Sequence, residues 1–318
     1  MTFTLKSAAA TQACDGAFGF SDGTADYIVG GWTGGSTSLS KVWKSTDGGS
    51  NWVAQTDFAY KFHFAAVTIV GNVPYIVGGD YFNFTVDGSY RKDAYKFQSG
   101  SWTQIASDCG IGNRCLAALV YLGSSFFLIG GQSTLEKSSV FYTVMRSDDG
   151  CATFTSILAD TKTQGFTGGL TGGAFIAYKG LIWKIGGGIY TNTRFGREYD
   201  TQILSSPDGI NWTYRGEFRG QGRNYAQMCV HNDKIYLFGG FNDTVFNGVN
   251  IDSPGNMSDY WTIELLSSGK IVQTYKGLCD WGTRHAHTIW TNSSGVMMFG
   301  GSGNTGGFVT NECWLYTE

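Results

Sequence analysis

The sequence predicts an all-β protein, and three observations carry that prediction: the glycine content, the aromatic content and an internal repeat. Of the 318 residues, 47 are glycine and 3 are proline, while aromatic and charged residues each make up 15%. Average proteins have about 7% glycine and about 25% charged residues. Disordered chains have few aromatic residues and a high net charge, so the composition argues against that class. Frequent glycine turns beside many aromatic strand formers favour short β-strands.

The internal repeat is a strand-like run that ends in a glycine pair, and it occurs six times. The six runs are YIVGG at 27–31, YIVGG at 75–79, FFLIGG at 126–131, IWKIGG at 182–187, IYLFGG at 235–240 and VMMFGG at 296–301. The first glycines of successive pairs are 48, 52, 56, 53 and 61 residues apart. A variable period of about 50 residues indicates a structural unit whose loops accept insertions.

Each unit reads as four short antiparallel strands in a fixed order. An apolar first strand precedes the run into the glycine pair, as in FAAVTIV at 64–70, CLAALVY at 115–121 and YAQMCVH at 225–231. A polar loop follows, and then a third strand with alternating aromatic residues, as in KVWKS at 41–45, DAYKF at 93–97, DYWTIEL at 259–265 and ECWLY at 312–316. The fourth strand opens with an aromatic residue in several copies: Trp52, Trp102, Phe154 and Trp212.

A four-stranded unit of about 50 residues cannot bury both of its faces alone, so the units must pack on one another. Radial packing gives a six-bladed β-propeller, in which only short, protected strand edges remain. The glycine pair suits the crowded inner part of each blade, where a missing Cβ allows close backbone approach. Without a linker or a change in composition, residues 1–318 are predicted to form a single propeller domain.

The chain ends are predicted to close the ring. The last unit stops at Glu318 just after its third strand, and an open strand edge there would invite aggregation. Residues 2–6, TFTLK, alternate polar and apolar side chains as a half-buried strand does. We therefore expect residues 2–6 to complete the last blade, with Phe3 in the packing position of the fourth-strand tryptophan.

The run into the glycine pair, the third-strand aromatic residue and the tryptophan after it together resemble the kelch motif in all six copies. Three copies depart from that pattern: Val144 in copy 3 and Ile203 in copy 4 replace the first aromatic residue, and Ile271 or Val272 in copy 5 replaces the second. The resemblance implies the same six-bladed fold, with these substitutions confined to the filling between blades.

Charge and targeting signals exclude several classes of function. A net charge of −3 gives no broad attraction to nucleic acid or to an anionic membrane. No stretch approaches about 18 consecutive apolar residues, so no membrane insertion is expected. The start of the chain lacks the apolar run of about 7–15 residues that marks a signal peptide, which predicts synthesis in the cytosol.

The seven cysteines predict reduced, buried thiols, because an odd number excludes a complete disulfide framework. Cys109 and Cys115, six residues apart, are candidates to pair only in an oxidising compartment. No metal or cofactor is predicted: His285 and His287 have no placed partner ligands, and no phosphate loop or dinucleotide fingerprint occurs.

Three Asp-Gly turns resemble the Asp-box of sialidases and other sugar-handling propellers. They are STDGGSNW at 45–52, SDDGCATF at 147–154 and SPDGINW at 206–212. The carboxylate of such a turn accepts backbone N–H groups and the glycine supplies a positive φ, so a structural role is predicted.

Arginine recurs sixteen residues before the first glycine of each pair. The six positions there are Cys14, Phe62, Arg114, Leu170, Arg223 and Arg284. Convergent guanidinium groups suit a carboxylate, sulfate or phosphate. The alternative is that each arginine ties its turn to backbone carbonyls, and both interpretations stay open at this point.

The loop after each glycine pair and the loop before each first strand should emerge on one face, which we call the loop face. Aromatic residues, which stack on sugars or peptides, and amides, which hydrogen-bond to them, are frequent in these loops. The predicted ligand-binding residues are the three arginines together with Tyr81, Phe82, Tyr190, Arg194, Phe241 and Asn242.

These features favour a non-catalytic recognition module that binds a glycan or an acidic protein segment through the loop face. The composition also resembles that of viral or phage attachment and structural proteins, which implies incorporation into a virion. One alternative is a sugar-acid mutarotase similar to N-acetylneuraminate epimerase. An arginine would then hold the carboxylate, and Glu198, Glu217 or a histidine would move protons. The other alternative is a scaffold in a larger assembly, and the oligomeric state is left open.

Overall fold

The protein is a six-bladed β-propeller in a computed structural model, as the sequence predicts. The structure describes residues 2–35, 38–80, 90–191, 196–243, 245–246, 249–250, 255–303 and 309–318. Six four-stranded antiparallel sheets form the blades, and their first strands surround a central channel. None of the helices within these ranges is long and apolar enough to cross a membrane.

The blades follow the order of the six repeats. Blade 6 takes its outer strand from the start of the chain, as β1 (Thr2–Ser7). Blade 1 consists of β2 (Phe18–Ser21), β3 (Asp26–Val29), β4 (Val42–Ser45) and β5 (Val53–Ala54). Blade 2 consists of β6 (Ala66–Val70), β7 (Val73–Val77), β8 (Ala94–Gln98) and β9 (Ser101–Ala106). Blade 3 consists of β10 (Ala118–Leu122), β11 (Ser125–Ile129), β12 (Val144–Ser147) and β13 (Thr155–Leu158).

The second half repeats this order with short two-stranded ribbons added on the loop face. Blade 4 consists of β14 (Ala174–Tyr178), β15 (Leu181–Ile185), β18 (Gln202–Ser206) and β19 (Thr213–Glu217), with the ribbon β16 (Gly188–Ile189) and β17 (Glu198–Tyr199). Blade 5 consists of β20 (Gln227–His231), β21 (Lys234–Phe238), β24 (Asp259–Leu265) and β25 (Ile271–Leu278), with the ribbon β22 (Val245–Phe246) and β23 (Val249–Asn250). Blade 6 consists of β27 (Thr288–Asn292), β28 (Gly295–Phe299), β30 (Cys313–Thr317) and β1, with the ribbon β26 (Arg284–His285) and β29 (Ser302–Gly303). Two 3-10 turns, η1 (Lys137–Ser139) and η2 (Thr161–Gln164), complete the elements of the described residues.

The predicted closure of the ring is confirmed by the pairing of the chain ends. Strand β1 pairs antiparallel with β30, and Phe3 lies opposite Tyr316. The Phe3 ring is 4.8 Å from the Trp281 ring and 5.3 Å from the Tyr260 ring. Phe3 therefore has the packing position that Trp102 has opposite its own third strand in blade 2.

The glycine pair has the close approach that the sequence predicts. Gly130 has a φ of 67°, and a Cβ added there would lie 2.4 Å from the Leu170 Cβ of the next blade. Gly131 has a φ of 93°, and its added Cβ would lie 2.7 Å from the Cys115 carbonyl oxygen. Any larger residue would combine a strained backbone with a steric clash at both positions.

The core lies between neighbouring blades and includes the positions that depart from the kelch pattern. Val144 and Ile203 are fully buried in two of these inter-blade clusters. In copy 5 it is Ile271 that packs against the core, whereas Val272 is exposed. The aromatic position can thus be filled by an aliphatic side chain without loss of the blade.

The thiols and the Asp-Gly turns agree with the sequence. All seven cysteines are free and buried, and the Cys109 thiol donates to the Lys92 carbonyl at 3.0 Å. In the first turn, Asp47 accepts backbone N–H groups from Ser50 at 3.1 Å and from Asn51 at 2.9 Å. These hydrogen bonds, with that of Asn51 the largest cause, lower the pKa of Asp47 to about 2. The predicted role of the carboxylate in this turn is confirmed.

Candidate functional site

Each of the three predicted arginines makes the same type of contact within its own blade. In each case Nη1 donates to the carbonyl of the first glycine of the pair, sixteen residues further on. The distances are 3.2 Å from Arg114 to Gly130, 2.9 Å from Arg223 to Gly239 and 3.0 Å from Arg284 to Gly300. All three side chains are buried. These hydrogen bonds are the ones expected of arginines that tie the turn to the backbone.

The other guanidinium contacts of these arginines also lie within the protein. Arg223 donates to both carboxylate oxygens of Asp259, at 2.7 and 2.9 Å, and Arg284 donates to Glu312 at 2.8 Å. Arg114 lies 4.0 Å from the centre of the Phe141 ring, and burial lowers the pKa of Arg114 to about 10. The contacts support the tying role, and anion binding by these arginines stays a prediction that no contact favours.

A continuous ring of backbone hydrogen bonds encircles the channel at its loop-face end. Fourteen residues before each glycine pair, one residue of every blade has a φ between 51° and 59°. Its N–H donates to the carbonyl of the equivalent residue in the preceding blade, at 2.8–3.2 Å all around the ring. The six residues are Gly16, Phe64, Leu116, Gly172, Tyr225 and Ala286. The channel cavity of about 450 Å³ lies among the first strands that follow this ring.

Two aromatic rings lie over glycines of this backbone ring. A Cβ added to Gly16 would lie 3.0 Å from the Phe64 ring, and one added to Gly172 would lie 3.0 Å from the Tyr225 ring. The rings of Phe64 and Tyr225 are themselves 5.5 Å apart and nearly parallel. The two glycines therefore make room for an aromatic floor at the axis of the loop face.

Further rings join this floor to form what we call the axial aromatic cluster: Phe64, Tyr190, Tyr225, Phe241 and His285. The Tyr225 ring lies 5.5 Å from both Tyr190 and His285, and Phe241 lies 4.9 Å from His285. Tyr225 is buried, and the other four members are half-buried. The structure thus brings together two of the predicted binding residues, Tyr190 and Phe241.

Arg197, which the sequence did not single out, fixes the edge of this cluster. Its guanidinium lies 4.3 Å from the centre of the Tyr190 ring and forms an ion pair with Asp243. The Tyr199 hydroxyl donates to the same carboxylate. Burial and, to a smaller extent, the charge of Arg197 lower the pKa of His285 to about 3, so its imidazole is neutral at pH 7.

The remaining predicted binding residues do not add to the cluster. The Asn242 side-chain amide donates to the Gly222 carbonyl at 2.5 Å. Tyr81, Phe82 and Arg194 lie outside the described residues.

The proton-transfer candidates of the mutarotase alternative have partners of their own. Glu198 forms an ion pair with Lys137, and Glu217 accepts from the hydroxyls of Thr201 and Tyr214. Within the described ranges, no ion pair joins either glutamate to one of the three predicted arginines. In the same ranges, no group of three or more His, Cys, Asp or Glu side chains could hold a metal ion.

A second set of loop-face residues, which the sequence did not single out as a set, lies fifteen residues before the first glycine of each pair. Each pairs antiparallel, as a bridge or ribbon, with the residue soon after the glycine pair of its own blade. The six are Asp15, His63, Cys115, Thr171, Asn224 and His285, and all but His285 are buried. Their constant distance of fifteen residues from the first glycine of the pair is the feature of the sequence from which they could have been identified.

Buried titratable groups near this face predict a pH dependence of stability. Burial lowers the pKa of His287 to about 3 and raises that of Asp15 to about 7. Between about pH 4 and 6 the unfolded histidine is protonated and the folded one is not, so its contribution to stability is lost as the pH falls. Asp15 changes the stability in the opposite direction over this range. Its carboxyl keeps the proton up to a higher pH in the folded protein than in the unfolded chain, so its contribution to stability decreases as the pH rises.

We therefore expect His287→Gln to flatten the rise of the unfolding free energy between pH 4 and 6 by about 1.4 kcal/mol per pH unit. Asp15→Asn should make the rise steeper. Urea denaturation at four or five pH values measures both slopes. If the unfolding free energy rose with pH equally in the wild type and in both variants, the shifted pKa values of His287 and Asp15 would be wrong.

The chain was also compared with known proteins: no model of a protein family matches it, and no similar curated protein was found.

Proposed function

We propose that the protein is a non-catalytic recognition module that binds a glycan or an acidic protein segment through its loop face. The observation that carries the proposal is the axial aromatic cluster, in which four half-buried rings join buried Tyr225 beside the backbone ring of the loop face. Aromatic faces pack against the apolar faces of sugar rings, while nearby polar groups fix the orientation of the ligand. We take the repeats to be of the kelch type and the Asp-Gly turns to be Asp-boxes on their sequence pattern alone, and a place in a virion rests on composition alone.

Between the two ligands, the contacts favour the glycan. An acidic segment would need cations that are available for pairing, but Arg223 and Arg284 already pair with Asp259 and Glu312. Arg197, the cation beside the cluster, is likewise paired, with Asp243. A neutral or weakly polar ring can use the cluster without breaking any of these ion pairs.

The test is binding to a glycan array, followed by calorimetry with the best neutral glycan. Tyr190→Ala and Phe241→Ala should each weaken binding about tenfold, because each removes a ring on which the sugar stacks. Tyr214→Ala is the matched control, since Tyr214 is a 54% exposed aromatic residue on the outer strand β19. Wild-type affinity in both cluster variants, or no binding to any glycan or aspartate-rich peptide, would refute the proposal.

A further inference from the structure

Three neutral polar side chains surround one short segment of blade 4, residues 188–190, and we call them the polar nook: Gln132, Thr171 and Asn224. The backbone of Thr171 exchanges two hydrogen bonds with Gly188, at 3.0 and 3.2 Å. Gln132 Nε2 donates to the Tyr190 carbonyl at 2.8 Å. A Cβ added to Gly188 would lie 3.0 Å from Asn224 Oδ1. Gln132 comes from blade 3, Thr171 from blade 4 and Asn224 from blade 5, and each has an atom beside this segment, whose Tyr190 belongs to the axial aromatic cluster.

Four polar atoms of the nook have no hydrogen-bond partner in the part of the chain that the structure describes. They are Gln132 Oε1, Thr171 Oγ1, Asn224 Oδ1 and Asn224 Nδ2. All three side chains are 0% exposed. A buried polar group without a partner costs about 1–3 kcal/mol, so a ligand that supplied these hydrogen bonds would relieve part of that penalty.

The chemistry of these four atoms suits hydroxyl groups. Gln132 Oε1 can only accept, the Thr171 hydroxyl can do both, and the Asn224 amide offers one acceptor and donors. A sugar hydroxyl also donates and accepts, whereas a carboxylate only accepts and would leave Gln132 Oε1 unmatched.

We infer that the polar nook binds hydroxyl groups of a neutral sugar residue whose ring stacks on the axial aromatic cluster. This inference rests on the proposed function and narrows its ligand to neutral saccharides. Because the three side chains are fully buried, a sugar reaches them only if neighbouring side chains move.

The decisive variant is Thr171→Val, which removes only the hydroxyl. Thr161→Val is its matched control, because Thr161 is also 0% exposed with an unpartnered Oγ1 but lies in η2. Both variants should melt at or above the wild-type temperature, since each loses a buried hydroxyl without a partner. Only Thr171→Val should lose affinity for neutral sugars, about tenfold, and Thr171→Ser should restore it.

The probes are the methyl glycosides of glucose, galactose, mannose and N-acetylglucosamine, with glucuronate and N-acetylneuraminate as acidic counterparts, measured by saturation-transfer NMR and calorimetry. We expect at least one neutral glycoside to bind at least tenfold more tightly than either acid. Two outcomes would overturn the inference that the polar nook binds a neutral sugar and leave the proposed function standing. One is tighter binding of an acidic sugar, and the other is wild-type affinity in Thr171→Val while Tyr190→Ala loses binding. A clear destabilisation by Thr171→Val would also overturn it, because the hydroxyl would then have a structural partner. No binding of any sugar or peptide would overturn both.

Discussion

A protein that lacks residues 2–7 should melt roughly 10 °C or more below the full chain. Strand β1 supplies the outer strand of blade 6, with five residue pairs to β30. Its removal takes Phe3 away from Trp281 and Tyr260 and leaves the edge of β30 without a partner. The loss combines a cavity between blades 5 and 6 with an open edge that can pair with another chain. Thermal unfolding followed by circular dichroism, with light scattering for aggregation, measures both effects.

Single substitutions on β1 separate packing from strand pairing. Phe3→Ala should cost about 3–5 kcal/mol of unfolding free energy, because it empties the space that the ring fills. Leu5→Ala is the matched control on the same strand, since Leu5 is 44% exposed, and its effect should stay within about 0.5 kcal/mol. An unchanged melting temperature after removal of residues 2–7 would show that the ring does not depend on this strand.

The strand order was predictable because the glycine pair marks the same structural position, the end of the second strand, in each repeat. The first strand, its hairpin turn and the second strand together span twelve residues in every blade. Positions sixteen, fifteen and fourteen residues before the pair are therefore structurally equivalent in all six copies. The loops after the pair differ in length, so the sequence alone does not align residues beyond them. This explains why the blades were found from the repeat and the partners of the arginines were not.

The partners that decide the role of the arginines lie across those variable loops. Asp259 follows Arg223 by 36 residues, and Glu312 follows Arg284 by 28. The local sequence around each arginine is therefore compatible with both interpretations, an arginine that holds its turn to backbone carbonyls and an arginine that binds an anion. Arg197 was missed for the same reason, because its partner Asp243 belongs to the next blade.

The candidate site was predicted in part. Tyr190 and Phe241 were expected from the aromatic content of the loops, and both belong to the axial aromatic cluster. Phe64 and Tyr225 begin the apolar runs 64–70 and 225–231, which the sequence predicts only as first strands. Their place at the axis depends on the backbone ring, which joins residues of all six blades and exists only when the propeller is closed.

Arg223→Ala should be among the most destabilising single substitutions in the chain, at about 3–5 kcal/mol of unfolding free energy. It leaves the Asp259 carboxylate, whose side chain is only 20% exposed, without its bidentate partner. It also removes the donor to the Gly239 carbonyl. Arg223→Lys should have an intermediate effect, because it keeps the charge but cannot form both hydrogen bonds at once. Urea denaturation of the three proteins at pH 7 gives the order.

Arg219→Ala is the control for this prediction, since Arg219 is an exposed arginine four residues earlier in the chain, and its effect should stay within about 0.5 kcal/mol. The tying role and the anion-binding role differ in outcome. If Arg223 only holds its turn to the backbone, Arg223→Ala should lose stability, and ligand binding should weaken only to the extent that the protein is unfolded. If Arg223→Ala instead kept its stability and lost affinity for acidic sugars or an aspartate-rich peptide, the arginine would be a ligand contact, and the preference for a neutral glycan would fail with it.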